Sequence, residues 1–112
     1  IVESEKTAIM MMYYNPNFLW LASGSAGMLT PTKLYKLKGR KIVLFPDQGE
    51  FDNWEKIRYK AIDRFNLDIE ISKECEIWYK EKQIEKGGDI ADYYNSNYKF
   101  SHAEQRMLPI KK

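Results

Sequence analysis

Apolar segments of strand length recur along this chain, each followed by a helix-length stretch before the next. Ile1-Val2, Phe18-Leu19-Trp20-Leu21-Ala22 and Ile42-Val43-Leu44-Phe45 are continuously apolar, whereas Leu67-Asp68-Ile69-Glu70-Ile71 alternates. A continuous apolar run suits a strand covered on both faces, and alternation marks a strand with one wet face, at a sheet edge. Parallel neighbours need a crossover that travels back along the sheet, usually through a helix. The order β-α-β-α-β-α-β-α therefore predicts an α/β fold of about four mainly parallel strands with helices on both faces. At 112 residues this is one domain's worth of chain, large enough to bury a core without disulfides or metal.

The connecting stretches carry their own start and stop signals. Ser4 suits the N-cap of a helix running to about Tyr14, with Glu5 in its first turn and Ala8, Met11 and Met12 as its apolar stripe. Asn15-Pro16-Asn17 ends it, because proline disfavours helix in the residue before it. Residues Ser23 to Gly27 form a small, flexible turn. Thr30 caps a short helix that starts at Pro31, contains Leu34 and Leu37, and stops at Gly39. Trp54, Ile57, Ala61 and Phe65 recur at helical spacing from Asp52, with Asp52 and Glu55 as a variant capping box and Asn66 as the break. Ser72 caps a further helix through about Glu85, with Cys75, Trp78 and Tyr79 as its apolar side and Gly87-Gly88 as its stop. Asp89 to Asn95 reads as one or two helical turns, and the tail from Ser96 has no strong period.

Composition excludes several classes. With 44% hydrophobic and 30% charged residues the chain is neither disordered through charge nor fibrous. No apolar run approaches the roughly 20 residues of a membrane span, no signal peptide is visible, and the single cysteine, Cys75, cannot form an internal disulfide. A cytoplasmic protein with no membrane partner is expected. The first residue is Ile1, directly in an apolar pair, which reads as a piece of a longer protein. The net charge of +2 conceals a segregation. Lys33, Lys36, Lys38, Arg40 and Lys41 place five bases in nine positions without an acid, and Asp47, Glu50, Asp52 and Glu55 place four acids in nine without a base.

In open parallel sheets, ligands bind beyond the carboxyl ends of the strands. Glu3 and Ser4 follow the first strand, Ser23 to Gly27 the second, and Asp47 to Glu50 the third, so Glu3 and Asp47 are expected neighbours across the chain. Two carboxylates beside a glycine-rich turn suit Mg²⁺, which takes oxygen ligands and keeps waters and substrate phosphate. Each acid also has an ordinary use: Glu3 favours the start of a helix, and Asp47 between Pro46 and Gly49 suits a turn.

Four segments in order are Ile1-Val2-Glu3-Ser4-Glu5-Lys6-Thr7-Ala8, Trp20-Leu21-Ala22-Ser23-Gly24, Val43-Leu44-Phe45-Pro46-Asp47-Gln48-Gly49 and Lys86-Gly87-Gly88-Asp89-Ile90-Ala91-Asp92-Tyr93. Together they resemble the ordered motifs of a toprim domain, the module shared by topoisomerases, bacterial-type primases and phage primase-helicases. The variant is most similar to the primase-like proteins of phages and mobile elements. The resemblance covers about residues 1–95 and leaves 96–112 as a C-terminal tail. It implies a Rossmann-like three-layer toprim fold, Mg²⁺-assisted nucleotidyl transfer or phosphodiester chemistry on DNA or RNA, and other domains of a parent protein as partners.

The resemblance also implies roles. Glu3 matches the family's glutamate of acid-base chemistry or metal organisation, Asp47 the first aspartate of the Asp-x-Asp pair that binds Mg²⁺, and Gly24 the glycine where backbone lies close to the site. Asp89 and Asp92 resemble the late Asp-x-x-Asp-Tyr stretch of primase-like members, and Lys6 a basic residue that faces phosphate. Two positions depart from the pattern. The second aspartate is Gly49, which shifts its duty to Glu50 or Asp52, and the glycine after the glutamate is Ser4. The first departure implies one weakly held Mg²⁺, or Mn²⁺ in its place, rather than two metals. It also opens a second reading: a toprim-fold module without metal chemistry that serves nucleic-acid binding or protein interaction.

Lys38, Arg40 and Lys41 are candidate phosphate contacts for salt-sensitive, sequence-independent binding, and equally suit a solvated surface. Tyr93, Tyr94 and Tyr98 could stack on single-stranded bases, although such residues more often cover a core edge. His102 has no Cys or His partner that would make it a metal ligand. Trp20, Trp54 and Trp78 are expected in the core.

Overall fold

A computed structural model describes residues 1–96. Tyr98, His102 and all but the first residue of the tail 96–112 lie outside the described residues. In chain order come α1 (Glu5–Tyr14), a 3-10 turn (Ala26–Met28), α2 (Pro31–Tyr35), β1 (Ile42–Leu44), α3 (Phe51–Phe65), β2 (Ile69–Ile71) and α4 (Glu74–Lys80). Residues 90–96 are again helical. The fold is mixed α/β, and none of the described helices is long and apolar enough to cross a membrane.

β1 and β2 pair in parallel, with Ile42 opposite Ile69 and Leu44 opposite Ile71. Among the described residues the regular sheet consists of these two strands, where about four were expected. The first two segments contribute shorter contacts. Val2 and Ala22 form an isolated parallel bridge, the Ile1 nitrogen donates to Val43 O at 2.7 Å, and Phe45 N–H donates to Ile1 O at 2.9 Å. A regular strand needs successive bridges, and the second segment meets the first only at its end: Val2 N–H donates to Leu21 O and Ser23 N–H to Val2 O, both at 2.9 Å. Phe18 and Leu19, expected to be covered on both faces, are 51% and 69% exposed. The Trp20 indole N–H turns back to donate to Asn15 O at 2.8 Å, so only the later part of the run lies along the first segment.

Side chains alternate across a strand, and β1 uses this to supply two cores. Ile42 and Leu44 join Leu34 of α2, Trp54 and Ala61 of α3, and Ile69 of β2. Phe45 packs against the other cluster, formed by Val2, Ala8 and Met11 of α1, Trp20, Cys75 of α4, Ile84, Ile90 and Ala91. Trp78 is half-buried at the margin of that second cluster, where its ring stacks on Tyr93 at 3.9 Å.

Local signals place most helix ends. Ser4 Oγ accepts from Thr7 N–H at 3.1 Å, and Thr30 Oγ1 accepts from Lys33 N–H at 3.1 Å ahead of Pro31. Asn66 adopts the left-handed conformation, φ 54° and ψ 45°, that closes α3. Four ends differ from expectation. α4 starts at Glu74 with Lys73 at its N-cap and no side-chain cap bond, while Ser72, one residue earlier, accepts from Glu74 N–H at 3.1 Å. α2 stops at Tyr35, and Leu37 lies in the turns that follow. α3 begins at Phe51 after an N-cap at Glu50 that makes no side-chain cap bond, so Asp52 lies in the first turn and caps nothing. α4 ends at Lys80 rather than near Glu85, because the chain turns at Lys82, whose φ is 61°.

The α1 stripe also differs from its expected form. Met11 is wholly buried, whereas Met12, one residue on, is 50% exposed. Met11→Ala is therefore expected to lower unfolding stability by about 2–5 kcal/mol, and Met12→Ala by less than about 0.5 kcal/mol, as measured by urea denaturation followed by circular dichroism.

Candidate functional site

The pairing of residues 1 and 2 with both of their neighbours brings three segment ends to one edge of the sheet. Glu3 follows the first segment, Ser23 and Gly24 the second, and Asp47 lies just past β1 and Phe45. Gly24 N–H donates to Glu3 O at 2.8 Å. Its φ of +104° is one that residues with a side chain rarely adopt, which accounts for glycine there. Ser23 Oγ donates to Ser25 O at 2.8 Å and so tightens the same turn. Asp47 N–H donates to the Glu3 carboxylate at 3.2 Å, closing a separation of 44 positions. The expected contact between these two acids is thus present.

Burial and like charge govern the electrostatics. Asp47 is half-buried, and its carboxyl is pushed up to about 8, first by burial and then by the charges of Glu3 and Asp89. The Glu3 carboxyl is also raised, first by burial and then by Glu50 and Asp89, against the opposing effect of the Asp47 N–H. Two carboxyl groups this near cannot both ionise cheaply, so the pair retains a proton above the usual carboxylate range. The Cys75 thiol of α4 feels Asp47 and Asp89 as well, but burial is the main reason it is raised far above its ordinary value and stays unreactive.

Asp89 and Asp92 have a structural duty. Asp89 Oδ1 accepts from Asp92 N–H at 2.9 Å, and Asp92 Oδ2 accepts from Asp89 N–H at 2.9 Å. This reciprocal pair is a capping box that starts the helical residues 90–96. The other Asp89 oxygen accepts from the buried Thr7 hydroxyl at 2.8 Å, and Thr7 shares a 2.8 Å hydrogen bond with Ser4. Glu50 sits at the N-cap of α3 and accepts from Asn53 Nδ2 at 3.1 Å. Asp52 is exposed in the first turn of that helix.

Gly49 is a left-handed residue with φ +97°. Its N–H donates to Glu76 Oε2 at 2.6 Å, while Gln48 Nε2 donates to Glu76 Oε1 at 3.3 Å. Gln48 Oε1 accepts from Gly87 N–H at 2.7 Å, and Gln48 N–H donates to Gly88 O at 2.8 Å. Residues 47–49 are thereby fastened to α4 and to the 87–88 turn. Sequence reasoning missed Gln48, Glu76 and Thr7. Thr7 carried a usable signal, since it stands three positions after the Ser4 cap; Gln48 and Glu76 carried none, because their partners come from remote elements.

The basic candidates lie elsewhere. Lys6 is exposed on α1. Lys38, Arg40 and Lys41 precede β1 whereas Asp47 follows it, so the strand separates the cations from the carboxylates. Lys41 pairs with Glu70 at 3.2 Å, and the Lys38 ammonium lies over the Tyr35 ring at 5.6 Å. Tyr93 covers Trp78, and Tyr94 stacks on Tyr14 at 5.7 Å, so both line a core edge.

Among the described residues, no group of three or more His, Cys, Asp or Glu is disposed to hold a metal. Each Asp89 oxygen accepts one hydrogen bond, and Glu3 and Asp47 are the two acids that a backbone hydrogen bond holds together at this edge. A carboxyl pair that shares a proton is a place where a hydrated divalent cation can replace that proton. Two carboxylates are oxygen donors of the kind such a cation takes, with waters completing its shell.

Residues 1–48 match a family model described as Domain of unknown function (DUF6371). The matched stretch contains Glu3, Gly24 and Asp47. No curated protein and no solved structure matches the chain.

The raised Asp47 carboxyl has a consequence for stability with a definite sign. In the unfolded chain it titrates near its ordinary 3.8, and in the fold near 8, so between those values the folded state binds the extra proton and stability falls as pH rises. The buried Ile1 amino group, lowered to about 5 by burial, contributes with the opposite sign over the same window, so between pH 5 and pH 8 the urea midpoint of the parent chain is expected to fall relative to that of Asp47→Asn. A further expectation concerns Gly49. Gly49→Asp places a side chain on a left-handed residue and should cost about 1–3 kcal/mol in the same assay.

Proposed function

We propose that this chain is a toprim-like domain of a DNA primase-like or mobile-element replication protein, acting in the cytoplasm on DNA or RNA with one weakly held Mg²⁺. The observation that carries this reading is the hydrogen bond from Asp47 N–H to the Glu3 carboxylate beside Gly24, which joins acids of the first and third motif-like segments at one sheet edge. The finer fold reading, a Rossmann-like three-layer toprim arrangement, draws support from two further observations. Backbone hydrogen bonds link the segments in the spatial order 20–22, 1–2, 42–45, 69–71, with parallel pairing throughout. Helices α2 and α3 pack into one cluster, and α1 and α4 into the other.

Glu3 and Asp47 would hold the cation. Bound there, Mg²⁺ supplies charge neutralisation and polarises a phosphodiester. Asp47 gives up its shared proton on binding. An attacking hydroxyl would form the new P–O bond as pyrophosphate leaves, and the Glu3 oxygen turned away from the cation would take the hydroxyl's proton. Gly24 leaves room at the backbone for a phosphate, and Lys6 on the first helix supplies a cation toward it. Other domains of a parent protein would present template and nucleotide.

Gly49 and the engaged oxygens of Asp89 favour a second reading, a module of the same fold that binds nucleic acid or protein without metal chemistry. Titration with Mg²⁺ or Mn²⁺ in the presence of DNA separates the two. The metal reading expects saturable binding at millimolar concentrations, lost in Asp47→Asn, with apparent affinity rising roughly tenfold per pH unit up to about pH 8 as the bound proton is displaced. Absence of saturable binding overturns it in favour of the inert module. In the parent protein, Glu3→Gln should lower nucleotidyl transfer by about a hundredfold or more, and undiminished transfer would exclude the role of Glu3.

A further inference from the structure

A groove of about 650 Å³ runs beside the start of β1, and none of Glu3, Asp47 or Asp89 lines it. Its lining includes Phe18, Leu19 and Trp20 from the segment after α1, Val43 from β1, and Arg40 and Lys41 just before that strand. The Phe18 ring meets Trp20 at 5.7 Å and 77° and is half exposed, so part of an aromatic ring is open at the groove. Among the described residues the one acid in the lining is Glu70, which pairs with Lys41; both side chains are 59% exposed. Such a pair contributes little to stability, and Lys41 can exchange it for another anion. Arg40 is exposed, and the run from Lys33 to Lys41 that ends at this rim holds five cations and no acid.

We infer that this groove takes single-stranded nucleic acid, with a base stacked on Phe18 and backbone phosphates on Arg40 and Lys41. Repeated cations along one stretch of chain match a repeating polyanion rather than a single charged group. An exposed ring beside them matches a base whose face is free, which a single strand offers and a duplex hides. An acidic peptide would satisfy the cations but has no need of a flat aromatic platform. The inference rests on the nucleic-acid half of the reading above and is independent of its metal half.

The test is fluorescence anisotropy of labelled oligo-dT and oligo-rU with the whole 112-residue chain in EDTA, at low and high salt. Binding is expected without metal, weakening as salt rises. Phe18→Ala should weaken it by about five-fold or more, Arg40→Glu should weaken it further, and Glu70→Gln should tighten it. Urea midpoints of each variant establish that the fold persists. A duplex of equal length should bind less tightly than the single strand. The inference is overturned if the oligonucleotides do not bind, if folded Phe18→Ala and Arg40→Glu variants bind as the parent does, if the duplex binds as well, or if only a Glu-rich apolar peptide occupies the groove. Loss of the groove alongside saturable Mg²⁺ binding would remove this inference alone, and the converse would remove only the metal reading.

Discussion

Backbone hydrogen bonds leave β1 on both of its edges. Toward β2, Ile42 N–H donates to Asp68 O at 2.9 Å and Ser72 N–H to Leu44 O at 2.8 Å; on the other side Val43 O and Phe45 N–H are met by Ile1. A buried strand must have its amides and carbonyls paired, and this three-residue strand meets that demand through neighbours 27 and 42 positions away. Its alternating side chains then divide the apolar residues into two cores. Ile42 and Leu44 serve the cluster under α2 and α3, and Phe45 serves the cluster under α1 and α4. The same pairing carries register forward, so that Glu3 and Asp47 emerge from the sheet side by side.

The acids that gather at this edge do structural work and hold electrostatic tension at once. The Ser4, Thr7 and Asp89 bonds tie the start of α1 to the start of the 90–96 helix, and Glu76 with Gln48 fastens the loop after β1. Each oxygen of Asp89 and of Glu76 accepts a bond in this way. The close Glu3–Asp47 pair keeps a proton through neutrality, and losing it as pH rises costs stability. Ionisable groups pushed this far from their ordinary range in a polar cluster are characteristic of functional sites. Lys38, Arg40 and Lys41 are no part of that balance, since they precede β1 at its opposite end.

How much of this was legible depends on the range of the interaction responsible. The Ser4, Thr30-Pro31 and Asn66 signals involve partners within four residues, and each falls where the sequence implies. The Glu3–Asp47 contact was legible through one topological rule, that parallel strands deliver their carboxyl ends to one edge. Met12 and Phe18 were misread because apolar character alone does not say which side of an element a neighbour will cover. The end of α4 was missed because the helical pattern continues past Lys80 while the backbone turns at Lys82. Asp89 and Asp92 looked like a chemical motif, and their three-residue spacing equally encodes the capping box they form.

By itself the sequence determined the alternation of helical and extended segments, the parallel pairing, the positions of most caps and the separation of basic from acidic stretches. All of these follow from local backbone preference and the period of apolar residues. Only the tertiary structure decided that the regular sheet has two strands, that Gly49 turns left-handed onto Glu76, that Asp89 spends its oxygens on Thr7 and Asp92, and that Phe18 faces an open groove. Those outcomes depend on which remote groups arrive within about 3 Å of one another, and no period in the chain encodes that distance.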